Sequence, residues 1–353
     1  MTALVRILTN RNNAQRQAVA QSFQDKTKQD LSGALKKVLS GQLEELLLQL
    51  MMPPEQLEAQ RLRAAMAVSL RVRSGVHPHR LGSHPGLGTD EETLLEILCS
   101  RSRKTLQEVA AVYRQSESLD LPAGIGPVYK KDLEKELKAE TSGDFGRLVV
   151  ALLNPLLQAL SRETFSPDHF HSICLSSSSA LLRSQALAAS LSEKKAEAGP
   201  WISILTSRDS DHLDKVLMEL ELETGQTVDQ LVEKRFSGDF RLGLRVLVQC
   251  IQDPEVYLAQ RLLTMKTSLV QGIMVSHSEE NLLPIRAAFL RLSGSSLYST
   301  LQEHFKGEQL LALQAICRKQ QDLLRPTVSQ LLRSTQTPPH QVGVGPHLSG
   351  RQR

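Results

Sequence analysis

The sequence is poor in aromatic residues, and this scarcity limits the kinds of core that it can build. Only 4% of its 353 residues are Phe, Trp or Tyr, and it contains a single tryptophan. Leucine and alanine must therefore supply most of the packing. Such side chains favour helix-on-helix contacts over the aromatic and β-branched surfaces of sheets. The composition predicts an all-α fold.

The sequence has no strong excess of charge of one sign and no closely spaced pair of cysteines. A formal net charge of +4 is mild for this length, so no strong field for nucleic acid and no specific nucleic-acid partner is expected. The cysteines form no CxxC pair, which favours reduced thiols in a cytoplasmic protein over disulfides or a zinc site. They are Cys99, Cys174, Cys250 and Cys317.

Long hydrophobic runs are absent as well. The most apolar stretch, LVVALLNPLLQAL, is too short to span a bilayer and is interrupted by Asn154 and Pro155. The N-terminal MTALVRILTNR has no apolar core of the kind that a secretory signal carries. Any association with a membrane is therefore expected to be peripheral.

The sequence lacks catalytic motifs, so we expect no enzymatic activity. It contains no nucleophile elbow, no HExxH and no paired catalytic carboxylates. GIGPVYK resembles a phosphate loop only by letter, and it lacks that loop's preceding strand and its Lys-Ser/Thr ending. The histidines of HPHRLGSHP, at positions 77, 79 and 84, are spaced irregularly between prolines, which favours a solvated loop over a zinc site.

Two short markers recur four times along the chain. The first ends a helical pattern as ILTNR, ILCSR, ILTSR and IMVSH, closing at Arg11, Arg101, Arg208 and His277. The second opens the next pattern at Gly41, Gly143, Gly238 and Gly307. The two markers are 30 residues apart in three copies and 42 apart in the second copy. This regularity indicates an α-solenoid of four units, the second of which has a 12-residue insertion.

The spacing predicts five regions. They are a first repeat without its first helix and loop (1–54), a second repeat with insertions near 71–85 and 116–127 (55–165), a linker and third repeat (166–254), a fourth repeat (255–324) and a disordered tail (325–353). Each repeat is expected to contain several short helices, which are too short to be stable unless they stack.

The segment GLGTDEETLLEILCSR, followed later by SGDF, resembles the annexin repeat. In that family a GxGT loop opens the second helix, and an acidic residue stands just before a later SGD or KGD. WISILTSR, LVQCIQDPEVYLAQRL and IRAAFLRLSGSSLYSTLQ add to a likeness that covers roughly residues 1 to 320. The resemblance implies a slightly curved disk of four five-helix repeats. Calcium-binding loops on its convex side would hold anionic phospholipid.

The resemblance implies one complete calcium site, in the second repeat. Its ligands would be loop carbonyl oxygens of His84, Gly86 and Gly88 and the carboxylate of Glu140. Calcium takes six to eight oxygens, and a glycine-bearing turn can aim several peptide oxygens at one point. We interpret residues 89–91 as the cap and acidic first turn of the next helix. Two alternatives stay open: the GLGT stretch is a plain helix start or a phosphate nest, and Glu140 is a solvated loop acid.

The other repeats depart from the family pattern. KKVLSG in the first repeat has no acid, Arg235 takes the acidic position in the third, and His304 takes it in the fourth. The third repeat has lost GxGT, and in the fourth, MKTSLVQGIMVSH runs from the first helix into the second without a glycine loop. One weak calcium site is therefore expected, with a dissociation constant of roughly 10⁻⁴ to 10⁻³ M.

These observations predict a cytoplasmic, peripherally bound phospholipid-binding protein with weakened calcium dependence, whose partner is an anionic membrane surface. The alternative is a calcium-independent helical scaffold that binds protein and no membrane. Five arginines are interpreted either as a solvated helix face or as a lipid patch; they are Arg61, Arg63, Arg71, Arg73 and Arg80. Trp201 is expected to be buried, and the serines of residues 175–182 to form a linker.

Overall fold

The fold is all-α, as the composition predicts. A computed structural model describes residues 2–73, 89–115, 132–153, 178–191, 196–207 and 210–318, and every regular element in these ranges is a helix. The predicted tail lies outside the described residues, as do the insertion at 116–127 and most of the insertion at 71–85. Residues 71–73 continue a helix.

The helices are numbered here in chain order. The first nine are α1 (Thr2–Thr9), α2 (Asn13–Thr27), α3 (Leu31–Val38), α4 (Gly41–Met51), α5 (Pro54–Arg73), α6 (Glu91–Ser100), α7 (Arg103–Gln115), α8 (Leu133–Glu140) and α9 (Gly143–Leu153). The next nine are α10 (Ser178–Ser190), α11 (Ala198–Leu205), α12 (Ser210–Thr224), α13 (Val228–Arg235), α14 (Gly238–Gln252), α15 (Pro254–Leu262), α16 (Thr267–Ser276), α17 (Leu282–Ser293) and α18 (Leu297–His304). A further helix, α19, spans 307–318.

Local hydrogen bonds explain where several of these short helices begin. At the start of α2, the Asn12 side chain accepts from the backbone N–H of Gln15, whose side chain accepts from the backbone of Asn12. Thr227 and Gln230 form the same capping box at the start of α13. Each box satisfies two donors that a helix end otherwise leaves without partners.

Four turns between helices share one backbone geometry. Each contains a glycine in the left-handed region, with φ between 59° and 65°, and each glycine starts a helix three residues after the previous helix ends. A side chain with a Cβ is strained at this φ, which explains the glycine of the second sequence marker. We call these turns glycine corners 1 to 4; they span 38–41, 140–143, 235–238 and 304–307.

The core is built mainly from leucine, and the single tryptophan lies inside it. Trp201 is fully buried, its Nε1 donates to Ser190 Oγ at 3.0 Å, and its ring meets that of Phe236 edge-on at 5.4 Å. This confirms the packing role expected for Trp201. The apolar ring is thus packed against another aromatic ring, and the indole N–H has a hydrogen-bond acceptor.

The serine-rich segment is not wholly a linker, so part of that interpretation is wrong. Residues 178–182 form the first turns of α10, which packs against α12. Within α10, Ser184 is buried and its Oγ donates to Leu181 O at 2.8 Å. A serine that bonds to its own helix backbone in this way is compatible with a helix, and serine content alone did not reveal it.

Two of the five arginines form neither a solvated face nor a lipid patch, which corrects both interpretations of that group. The Arg61 side chain is only 11% exposed, and its Nη1 and Nη2 contact Glu58 Oε2 and Glu96 Oε1 at 3.0 and 2.6 Å. Arg63 is buried, with its guanidinium 4.7 Å from the centre of the Tyr113 ring. The side chains of Arg71 and Arg73, and the whole of Arg80, lie outside the described residues.

Arg61 belongs to a buried charged cluster that ties α5 to α6 and α16. Glu58 Oε1 contacts Arg101 Nη2 at 2.5 Å, and Arg61 Nη1 donates to Ser276 Oγ at 3.2 Å. In α16, Gly272 leaves room for this guanidinium, because a Cβ there would lie 2.8 Å from Arg61 Nη2. Burial alone would raise the pKa of Glu58, but Arg101 and Arg61 outweigh it and lower that pKa to about 2.

In the described part of the chain, no helix is both long enough and apolar enough to cross a membrane. The cysteines there form no disulfide with one another: Cys99 is half-buried, and Cys250 and Cys317 are buried. Cys174 lies outside the described residues.

Candidate calcium site

Glycine corner 2 contains Glu140, the predicted acidic ligand. Glu140 is the last residue of α8 and is half-buried. Its Oε2 atom is buried, and no described residue gives it a hydrogen bond. A buried carboxylate oxygen without a partner is costly, so this atom marks a place where a cation would be stabilising.

The end of the GLGT loop is attached to the same corner. Thr89 Oγ1 donates to the backbone oxygen of Glu140 at 3.2 Å, although the two residues are 51 positions apart. The next residue, Asp90, donates its backbone N–H to Ala65 O of α5 at 2.9 Å. These two bonds hold the end of the loop between α5 and α8.

Thr89 is therefore not part of the helix cap, which corrects our interpretation of residues 89–91. The cap of α6 is Asp90, whose side chain accepts from the backbone N–H of Thr93 at 3.1 Å. Glu91 begins the acidic first turn, as expected, and Glu92 follows it. Thr89 instead joins the loop to the distant acid. The only sequence signal for this role was the family spacing between GxGT and the acid.

Negative charge surrounds the start of α6. Burial, together with the charges of Asp239 and Asp90, raises the pKa of Glu91. Burial and the neighbouring charge of Glu140 likewise raise the pKa of Glu136, against the opposing effect of Arg63. Burial is the largest cause of both shifts, and the neighbouring carboxylates add to it.

The predicted carbonyl ligands cannot be placed beside Glu140, because His84, Gly86 and Gly88 lie outside the described residues. Among the residues that are described, no group of three or more His, Cys, Asp or Glu side chains could hold a metal ion.

The other three corners place a different side chain where Glu140 stands. The last residues of α3, α13 and α18 are Val38, Arg235 and His304, each three positions before its corner glycine. In the fourth repeat, α15 ends at Leu262 and α16 begins at Thr267, so only four residues connect them. This short connection agrees with our expectation that the fourth repeat lacks the glycine loop.

These features define a class: an all-α chain with four equivalent corners, one of which combines a carboxylate with the end of a glycine-rich loop. The sequence model of the family described as Annexin matches residues 1–50 and 83–125. Annexin A9 of Mus musculus is 31% identical over 324 residues, which cover 89% of this chain and 81% of that protein.

Solved structures agree with the sequence comparison. Annexin III superimposes with a TM-score of 0.72 at 27% identity, covering 89% of this chain and 87% of that chain. A structure described as calcium-bound annexin (Sm)1 superimposes with a TM-score of 0.67 over 89% of this chain and 84% of that chain; at 22% identity it shows the fold alone.

The chain belongs to the annexin family, and its fold is the annexin fold. The family and fold support calcium-dependent phospholipid binding in general. Annexins are generally non-enzymatic, cytoplasmic proteins that bind membranes peripherally.

Proposed function

We propose that this chain binds anionic phospholipid surfaces peripherally and uses calcium at one weak site, in the second repeat. The observation that carries the proposal is the attachment of the GLGT loop end to Glu140, through Thr89 Oγ1 at 3.2 Å. This bond brings together the two parts of the chain from which the ligands would come.

The residues present fit a calcium ion. Glu140 offers a buried oxygen that has no hydrogen-bond partner in the described part of the chain. A bound ion would satisfy this oxygen and would supply a positive charge that attracts lipid phosphate. We propose that Glu140 is the carboxylate ligand and that His84, Gly86 and Gly88 contribute carbonyl oxygens.

The proposed calcium dependence is weak because the remaining corners lack the carboxylate. The side chains of Val38 and His304 offer no oxygen ligand, and Arg235 would repel a divalent cation. Several calcium sites that engage one membrane together raise avidity by about 10²-fold or more, and a single site forgoes this gain. The proposed protein therefore needs more calcium for attachment than an annexin with several intact sites.

Cosedimentation with phosphatidylserine vesicles tests this function. The protein is expected to pellet more in calcium than in a chelator, and Glu140→Gln is expected to remove that difference. Glu303→Gln is the matched control, because Glu303 is an exposed glutamate next to the end of α18, by corner 4. An absence of pelleting in both conditions would contradict the proposal and favour the protein-binding scaffold.

A further inference from the structure

We propose a second contact with anionic phospholipid that needs no calcium, on the surface formed by glycine corner 1 and the connection between α15 and α16. This inference rests on the proposed membrane function and extends it to a different part of the molecule. The surface, here called the lysine patch, consists of Lys36, Lys37, Val38, Leu263 and Lys266.

The lysine patch combines cations with exposed aliphatic side chains. Val38 and Leu263 are 61% and 44% exposed. All three lysines are exposed. Lysines beside aliphatic side chains suit a bilayer surface, where the charge meets lipid phosphate and the apolar group enters the headgroup boundary.

The two halves of the lysine patch lie on neighbouring helices. Gln271 Nε2 of α16 donates to the backbone oxygen of Gln42 in α4 at 3.0 Å, and α16 packs against α4. Gln42 follows Val38 by four residues, and Gln271 follows Lys266 by five. One helical turn covers 3.6 residues, so Val38 and Lys266 each lie little more than one turn from this bond. The bond therefore places corner 1 and the connection between α15 and α16 at the same end of the pair formed by α4 and α16.

The lysine patch also lies on the same side of the molecule as the candidate calcium site. Arg261, two residues before Leu263, contacts Glu92 Oε2 through Nη1 at 2.7 Å. Glu92 is in the first turn of α6, three residues after Thr89, which contacts Glu140. In this proposal one membrane surface contacts both.

Corner 1 has basic side chains next to the position at which corner 2 has the carboxylate of Glu140. Val38 stands where Glu140 stands in the second repeat, so corner 1 cannot supply a carboxylate to calcium. Lys36 and Lys37 precede it and bring positive charge that calcium would otherwise supply. Lipid phosphate can then be held by direct charge pairing, whose strength falls as salt is added.

The test is binding of the full chain to vesicles of phosphatidylserine and phosphatidylcholine in a chelator. The double variant Lys37→Glu/Lys266→Glu is expected to bind at least about tenfold more weakly, because each basic side chain near such a surface contributes several-fold to binding. The charge-matched control is Lys26→Glu/Arg291→Glu. Lys26 is exposed and separated from Lys37 by the length of α3, and Arg291 is exposed in the last turn of α17.

Three results would overturn the inference. They are an absence of chelator-resistant binding by the unaltered chain, equal weakening by the patch and control variants, and equal binding to vesicles of phosphatidylcholine alone. Thermal melting of both double variants confirms that they fold. The inference and the proposed function fail separately, since Glu140→Gln tests only the calcium-dependent part of binding and the patch variant tests only the chelator-resistant part.

Discussion

Glu58 and Glu140 are both glutamates withdrawn from solvent, but their carboxylates have different surroundings. Glu58 is 2% exposed, and each of its oxygens contacts a guanidinium, Arg101 at 2.5 Å and Arg61 at 3.0 Å. Glu140 has a buried oxygen for which no described residue provides a hydrogen bond. The first carboxylate is fully paired within the protein, whereas the second keeps one buried oxygen without a partner among the described residues.

Under the proposed function, this difference distinguishes a structural carboxylate from one that binds calcium. Glu96 lies between the two cases, because its Oε1 contacts Arg61 at 2.6 Å while its Oε2 has no partner among the described residues. Burial raises the pKa of Glu96, against the effect of Arg61. We expect changes in the buried cluster to alter stability and leave calcium binding in place, and changes at Glu140 to do the reverse.

The largest expected effect is the loss of stability in Glu58→Ala. Removing this carboxylate takes the shared partner from Arg101 and Arg61 in a buried site. Arg61 keeps Glu96 and Arg101 keeps Glu280, so we expect a cost of about 3 kcal/mol, at the lower end for a broken buried pair. Denaturant unfolding measures the change. Glu55→Ala, in the first turn of the same helix, is the control and should cost less than about 1 kcal/mol. A loss from Glu58→Ala as small as that of the control would show that the cluster is not structural.

A smaller loss is expected from Gly272→Ala. The new Cβ would lie 2.8 Å from Arg61 Nη2, and the ion pairs of Arg61 restrict its escape, so we expect a cost of about 1–3 kcal/mol. Gly33→Ala in α3 is the control, since its Cβ would have only an ordinary 3.4 Å contact with Asp30. Denaturant unfolding should give a lower free energy of unfolding for Gly272→Ala than for Gly33→Ala. The reverse order would contradict the close packing of Arg61.

The pH dependence of stability tests the buried charged cluster through His277. Burial, with the nearby charge of Arg101, lowers the pKa of His277 to about 3. Between pH 6.5 and 3 the unfolded chain therefore binds a proton at this residue and the folded chain does not, so stability falls as the pH falls.

This histidine should contribute a loss of about 2 kcal/mol between pH 7 and pH 5, since each pH unit below 6.5 corresponds to about 1.4 kcal/mol. Thermal or denaturant unfolding at both pH values should show that His277→Gln loses less stability on acidification than the unaltered chain. Equal losses in the two proteins would mean that His277 is protonated in the fold.

The smallest expected effect is that of Arg235→Glu, which gives corner 3 the carboxylate of corner 2. We expect no additional calcium ion to bind, because the third repeat also lacks the GxGT loop that would supply peptide oxygens. Calcium titration with phosphatidylserine vesicles measures this. A second bound ion would show that a carboxylate alone is enough at a glycine corner.

The sequence predicted the parts of the fold that depend on local patterns. The corner glycines, at 41, 143, 238 and 307, could be found because a left-handed φ restricts the residue type at one position. Helical periodicity gave the all-α class for the same local reason. The position of Glu140 followed from the family spacing, and the structure joins it to Thr89 by a hydrogen bond.

Contacts between distant parts of the chain could not be predicted in this way. Periodicity placed Arg61 on a helix but did not show that its guanidinium reaches Ser276, 215 residues away, through the space left by Gly272. Thr89 was assigned to a cap because threonine before an acidic turn is a common cap, but Asp90 forms it. In both cases the local sequence was compatible with several roles for the residue, and its contact with a distant part of the chain determined which role it has.

The central claim is that one calcium site, closed by Glu140, serves the whole chain. Titration calorimetry with calcium and phosphatidylserine vesicles, corrected by a vesicle-only blank, tests it most directly. We predict one ion per chain for the unaltered protein and none for Glu140→Gln, with unfolding free energies that agree within about 1 kcal/mol. Several ions per chain, or a stoichiometry that Glu140→Gln leaves unchanged, would contradict the claim.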